Sequence, residues 1–131
     1  MIHLEPGKET DATACSRYRW THTYIAVSAG EVYEITPKEG SKWNDLFNRV
    51  SAAGYESASL APFRRFRRVP DAPWFELIGA VGKSKSTTFR IGAGTTATMK
   101  TAGELLLYAN DLPFMYWNNS GNIDVVVRRV R

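Results

Sequence analysis

The residues whose types and spacing could do chemistry gather between Tyr108 and Gly121, in the segment Tyr-Ala-Asn-Asp-Leu-Pro-Phe-Met-Tyr-Trp-Asn-Asn-Ser-Gly. It carries one carboxylate, Asp111, and two adjacent carboxamides, Asn118 and Asn119. A hard cation such as calcium takes its ligands from carboxylate, amide and backbone carbonyl oxygens, and a loop of this composition offers all three. Pro113 stiffens one side of the loop and Gly121 permits a sharp exit. The same residues also suit a long polar connection that only reverses the chain, and residue types alone leave both readings open.

Such a loop needs two strands to hold it. Leu105 to Tyr108 before it and Ile123 to Val130 after it are apolar, β-branched runs. Upstream, Tyr18 to Val27 has strand composition, Ser28 to Glu31 is a turn, and Val32 to Thr36 alternates apolar and polar residues. Those two strands around Ala29-Gly30-Glu31 read as a hairpin. Ser41 to Val50 places Trp43, Leu46, Phe47 and Val50 at helical spacing, with Ser41 as a cap, so a short helix is expected there. Ser51 to Pro73 holds Gly54, Pro62, Pro70 and Pro73 and reads as a long irregular excursion. Trp74 to Val81 is a buried strand, Gly82 to Ser86 a turn, Thr87 to Gly92 the returning strand, and Gly94 to Ala102 one more. Short strands at close intervals with no long amphipathic helix predict an all-β sandwich. Residues 1–14 are set aside as an N-terminal arm and 15–131 as a single domain. Val32, Ile35, Leu77, Ile78, Phe89, Leu106 and Val126 are the expected shared core.

Other constellations carry less. Gly79-Ala-Val-Gly82-Lys83-Ser84 lacks the first glycine of a phosphate-binding loop, because Leu77 occupies that place, and a strand follows it rather than a helix. His3 and His22 have no partner at metal-ligand spacing. Asn118-Asn119-Ser120 fits a glycosylation sequon that matters only on a secretory route. No nucleophile with a base at hand stands out, and nothing argues for an enzyme. The cluster Arg64-Arg65-Phe66-Arg67-Arg68 could meet single-stranded nucleic acid through phosphates and stacked bases. A surface loop anchored by its phenylalanines is favoured over that, with all four arginines exposed and dispensable to stability.

At the loop the sequence resembles a known family. Asn110-Asp111-Leu112-Pro113, Tyr116 and Asn118-Asn119-Ser120-Gly121, followed by an alternating strand, are similar to the calcium-dependent galactophilic lectins of the PA-I (LecA-like) family. Ala29-Gly30-Glu31-Val32, Leu77-Ile78-Gly79 and Ile91-Gly92 extend the resemblance over about half the chain. It implies a jelly-roll β-sandwich of the galactose-binding-lectin type. It also implies calcium as cofactor, held by the side chains of Asp111, Asn118 and Asn119 and by the backbone carbonyls of Met115 and Trp43. Sugar contacts would fall to Asp111, Leu112, Asn118 and Trp43, and the partner would be a carbohydrate with vicinal hydroxyls, of galactose type. Phe114 and Trp117 stand where the family has small residues, and the Ser57 to Pro73 excursion replaces its second sugar-contacting loop. If Phe114 or Trp117 plugs the loop, a structural or interaction module that binds no sugar becomes the better reading.

Composition bounds these readings. With 131 residues, 23% of them charged and 12% aromatic, the chain suits one folded domain rather than a disordered segment. The net charge of +4 makes an anionic partner worth weighing, though nucleic acid is disfavoured. No apolar run approaches the roughly 20 residues that span a bilayer. A lone Cys15 and no visible leader fit a cytoplasmic protein or one exported without a cleaved signal. A homo-oligomer stays open.

Overall fold

A computed structural model describes all 131 residues. It is an all-β sandwich of two antiparallel sheets, as the run of short strands predicts. The strands are β1 (Glu9–Cys15), β2 (Thr21–Val27), β3 (Val32–Pro37), β4 (Trp43–Asp45), β5 (Asn48–Val50), β6 (Leu77–Val81), β7 (Phe89–Arg90), β8 (Thr95–Thr98), β9 (Gly103–Ala109) and β10 (Asn119–Arg129). One sheet has the order β5-β4-β10-β3-β8, with β1 also paired to β10; the other has the order β2-β9-β6-β7. No helix is long and apolar enough to cross a membrane.

The long strand β10 organises the larger sheet. Its first three residues pair with β4, its last five with β3, and Asn122 to Arg128 pair with β1. Alternation along β10 sends Ile123, Val125 and Val127 into the core, where they meet Leu105, Leu107, Leu77 and Ile25 from the facing sheet. Val126 therefore points the other way and is only half-buried, against the expectation that placed it in the core. Phe89 is likewise half-buried and packs on the core's margin.

The smaller sheet is covered on both faces. Ile78, Ala80 and Tyr108 cluster with Ala72, away from the core cluster that holds Leu77 and Leu107. Ile78, Leu106 and Val32 are thus buried as expected but do not belong to the layer between the sheets, Tyr33 taking the inward place beside Val32, while Ile35 and Leu77 lie in that layer as read from the sequence. A strand buried on both faces reads as an unbroken apolar run, which is why Leu77 to Val81 shows no alternation.

Three local expectations are corrected. Residues 9–14 are no loose arm: Glu9 to Ala14 is the bulk of β1, paired residue for residue with β10. Their polar composition reflects exposure of one face, with Ala14 alone fully buried. β2 and β3 do not pair as a hairpin; β2 lies beside β9 and β3 between β10 and β8, so the turn at Ser28 to Glu31 crosses from one sheet to the other. Ser41 to Val50 is a strand hairpin rather than a helix. Trp43 faces the core, whereas Leu46 and Phe47 form its exposed tip, so the helical spacing of these apolar residues was fortuitous. Leu46 holds φ of 55°, a conformation glycine ordinarily takes in a two-residue hairpin loop. Gly121 permits the close approach of β4 to β10: a Cβ there would lie 3.0 Å from Trp43 Cα.

Candidate functional site

The loop between β9 and β10 is held from beneath by its own first residue. Asn110 is fully buried, donates to the carbonyls of Val69, Ala72 and Pro73, and accepts from Val69 N–H. This single carboxamide pins the end of the Ser51 to Pro73 excursion against the loop. Tyr116 adds a second tie, donating its hydroxyl to Ala109 O at 2.6 Å. Both are satisfied buried polar groups, which rigidify what they connect.

On this frame Asp111 and Asn119 are brought together. Asp111 is 4% exposed; one carboxylate oxygen accepts Leu112 N–H at 2.7 Å and the other accepts Asn119 Nδ2 at 3.0 Å. Asn119 Nδ2 also donates to Ser16 O, so the amide is oriented with its oxygen free. The carbonyl oxygens Asn118 Oδ1 and Asn119 Oδ1 are both buried and accept no hydrogen bond. Buried polar atoms are nearly always satisfied, and each orphan costs free energy. Two orphaned acceptors beside a desolvated carboxylate form an oxygen set that fits a hard cation.

A cavity of about 260 Å³ opens over these groups. Asp111, Leu112, Met115 and Asn118 line it from the loop, and Leu60, Phe63 and Trp74 from the excursion and its end. The β4–β5 hairpin contributes Asp45, Leu46 and Asn48, and no lysine or arginine lines it. Of the residues singled out from the sequence, Trp43 and Asn119 do not line the cavity; Asn119 lies beneath it, hydrogen-bonded to Asp111. The Trp43 side chain is fully buried, its indole donates to Phe75 O, and its backbone pairs opposite Gly121. Two steps along the same strand, Asp45 sits opposite Asn119 and lines the cavity instead. Phe114 and Trp117 are 71% and 68% exposed and neither lines the cavity, so the loop is not plugged by them.

Asp45 is the cavity residue that sequence reasoning missed. It hydrogen-bonds the hydroxyl of Tyr55 and places a second carboxylate near the first. Burial pushes Asp111 up to about 6; hydrogen bonds from Asn119 and Leu112 work against that, and the charge of Asp45 adds to it. Neither aspartate has a cationic partner. Tyr55 is also pushed above its ordinary value, by burial and then by Asp45. The only sequence signal for Asp45 was a carboxylate two residues past a core tryptophan, and a helical assignment turned it elsewhere.

The basic excursion divides. Arg64 and Arg65 are exposed as expected, but Arg67 is 3% exposed and Arg68 is half-buried. Arg67 pairs with Glu56, donates to Pro70 O at 2.6 Å and lies 5.1 Å from the centroid of the Trp74 ring. Its methylenes and its charge are both used, which corrects the reading of all four arginines as dispensable.

No protein-family model matches the sequence, and no curated protein does. Among solved structures, the chain is similar to one described as the EclA N-terminal domain, a PllA-like lectin. The TM-score is 0.66 with 19% sequence identity, over 91% of this chain and 94% of that one. The fold is a lectin-like β-sandwich. At this identity the likeness reaches the lectin-like architecture and stops there; the PA-I resemblance is not singled out by it.

Proposed function

We propose that this lectin-like sandwich binds carbohydrate through one calcium ion at the Asp111 loop. The observation that carries the reading is the pair of orphaned, buried oxygens on Asn118 and Asn119 beside the desolvated Asp111. Asp111, Asn118 and Asn119 would hold the ion, with the backbone carbonyl of Met115 and, in place of Trp43, groups of the β4–β5 hairpin around Asp45. The ion supplies a positive centre whose remaining ligand positions suit vicinal hydroxyls, as on a galactose-type sugar. Asp111 and Asn118 are in reach to accept or donate hydrogen bonds to those hydroxyls, and Leu46, Leu112 and Phe63 offer the apolar wall that a sugar's C–H face needs. The open cavity supports this reading over a module that binds no sugar.

Calorimetry tests it in two steps. Calcium should bind the wild-type chain and raise its melting temperature by mass action, with a chelator undoing the gain. Asp111→Ala should abolish binding, because it removes the buried negative charge of the proposed ligand set; Asn119→Ala should weaken it less, since water can replace a neutral oxygen. A sugar with adjacent hydroxyls should then bind only with calcium present. No heat at millimolar calcium rejects the reading; calcium without sugar turns it into a structural ion and favours the interaction module.

A further inference from the structure

A second cavity, of about 330 Å³, shares the Asp111 loop, with Pro113 in its wall. Its electrostatics are the opposite of the first. Arg19, Arg65, Arg68, Lys83 and Lys85 line it, and no carboxylate does. None of these five cations has a carboxylate within ion-pair distance; Arg67, also in the lining, is already paired with Glu56. They come from three separate segments: Arg19 from the β1–β2 connection, the other two arginines from the excursion, and the lysines from the β6–β7 turn. Like charges drawn together by the fold repel, and an anion among them would relieve that repulsion.

Arg68 is the member held in place. Its guanidinium lies 3.5 Å from the Tyr108 ring centroid and 4.4 Å from that of Trp20. One terminal nitrogen, Nη1, donates to Arg19 O and to the Tyr116 hydroxyl. The hydrogen bonds of Arg68's side chain all leave from that nitrogen, so Nε and Nη2 keep their donors for another acceptor. A planar fork fixed by two rings, with unspent N–H groups, matches the oxygens of a phosphate or sulfate in geometry as well as charge.

We propose that this cavity binds a phosphate or sulfate group carried on a small ester, independently of the Asp111 site. The proposal gives the Gly82 to Ser86 turn a use that its phosphate-loop likeness did not: it presents two exposed lysines rather than a backbone cradle. The rings argue against single-stranded nucleic acid, which needs a row of bare aromatic faces for its bases, because Phe66 is the one well-exposed ring in the lining. Tyr108 is 1% exposed, Arg68 lies over Trp20, and Arg65 lies 4.8 Å over Phe66.

Titration calorimetry of the full chain at low ionic strength, with chelator present so that the Asp111 site stays silent, tests the proposal. Inorganic phosphate and inorganic sulfate are the first probes, glucose 6-phosphate and glucose 6-sulfate the next, and a short oligothymidylate the last. Saturable binding of either anion is expected, weakened roughly tenfold or more in a Lys83→Ser/Lys85→Ser double variant whose melting temperature is unchanged. The tighter of the two esters names the source of the oxyanion. Absence of saturable heat with both anions, or equal affinity in the double variant, overturns the proposal. Oligothymidylate binding tighter than either ester overturns it in favour of nucleic acid.

Discussion

Two buried carboxylates lie near opposite ends of β10 and are treated in opposite ways. Glu31, 8% exposed, accepts Ser28 N–H and the Tyr33 hydroxyl, each at 2.8 Å, and contacts His3 at 2.7 Å and Arg129 at 3.2 Å. Burial alone would raise it, but those four partners together hold it below the ordinary carboxylate value. Asp111, similarly hidden from solvent but set deeper in the molecule, has two neutral donors, a neighbouring carboxylate and no cation, and burial wins. Arg129 closes the strand at one end and Asn119 opens it at the other, ten residue steps or about 33 Å away. A carboxylate with its charge answered ties the β2–β3 turn to the end of the sheet. A carboxylate without a cationic partner instead lines the cavity at the other end.

The largest test of that contrast is removal of each group with chelator present. Glu31→Ala should lose about 3–5 kcal/mol in urea unfolding, because it strands Arg129 in a nearly buried place. Asp111→Asn should cost far less under the same conditions, since it removes an unanswered charge and loses only the hydrogen bond where its new amide donor faces Leu112 N–H or Asn119 Nδ2. Equal losses at the two positions would break the comparison.

A smaller version of the same contrast runs through the excursion. Arg67→Ser should cost about 2 kcal/mol through its lost hydrogen bonds and ring contact. Arg64→Ser, at an exposed position, should shift stability by less than about 0.5 kcal/mol. Equal melting temperatures for the two variants would mean that the burial of Arg67 contributes nothing.

The pH dependence sharpens the comparison further. Folded Asp111 keeps its proton up to about pH 6, whereas its ordinary value is 3.8. Between those values the folded state binds more protons than the unfolded one, so stability falls as pH rises. For chelated protein, unfolding free energy should drop by roughly 1 kcal/mol from pH 5 to pH 7 on this account, and Asp111→Asn should flatten that slope. Glu31 acts in the other direction and lower down: its stabilisation is present above its ordinary 4.5 and is lost as pH falls through its depressed value. Saturating calcium should reverse the Asp111 slope, because only the ionised group is a good ligand. A chelated protein that gains stability from pH 5 to pH 7 would contradict the unanswered charge.

Much of the loop chemistry was legible in the sequence because its groups lie within nine residues of one another. Asp111, Leu112, Met115 and Asn118 come to one cavity, with Asn119 hydrogen-bonded to Asp111 beneath it. Asp45 was not legible, since its place depends on β4 pairing with β10 across more than seventy residues. Arg67 was misread because a run of arginines looks uniformly exposed, and only the partners Glu56, Pro70 and Trp74 single one out.

The sequence by itself determined the class of fold, the strand segments with a strong two-residue alternation or a continuous apolar run, and the oxygen-rich loop. These are local properties, set by which side chains alternate and where glycine and proline interrupt. Only the tertiary structure decided that β2 and β3 part into different sheets, that Ser41 to Val50 is a hairpin, and that Asp45 rather than Trp43 faces the loop's cavity. It alone brought Lys83 and Lys85 to Arg68. Strand pairing and the meeting of distant loops depend on which apolar faces bury each other across the whole chain. No window of sequence holds that information, because an alternating segment pairs equally well with many others until the core selects one.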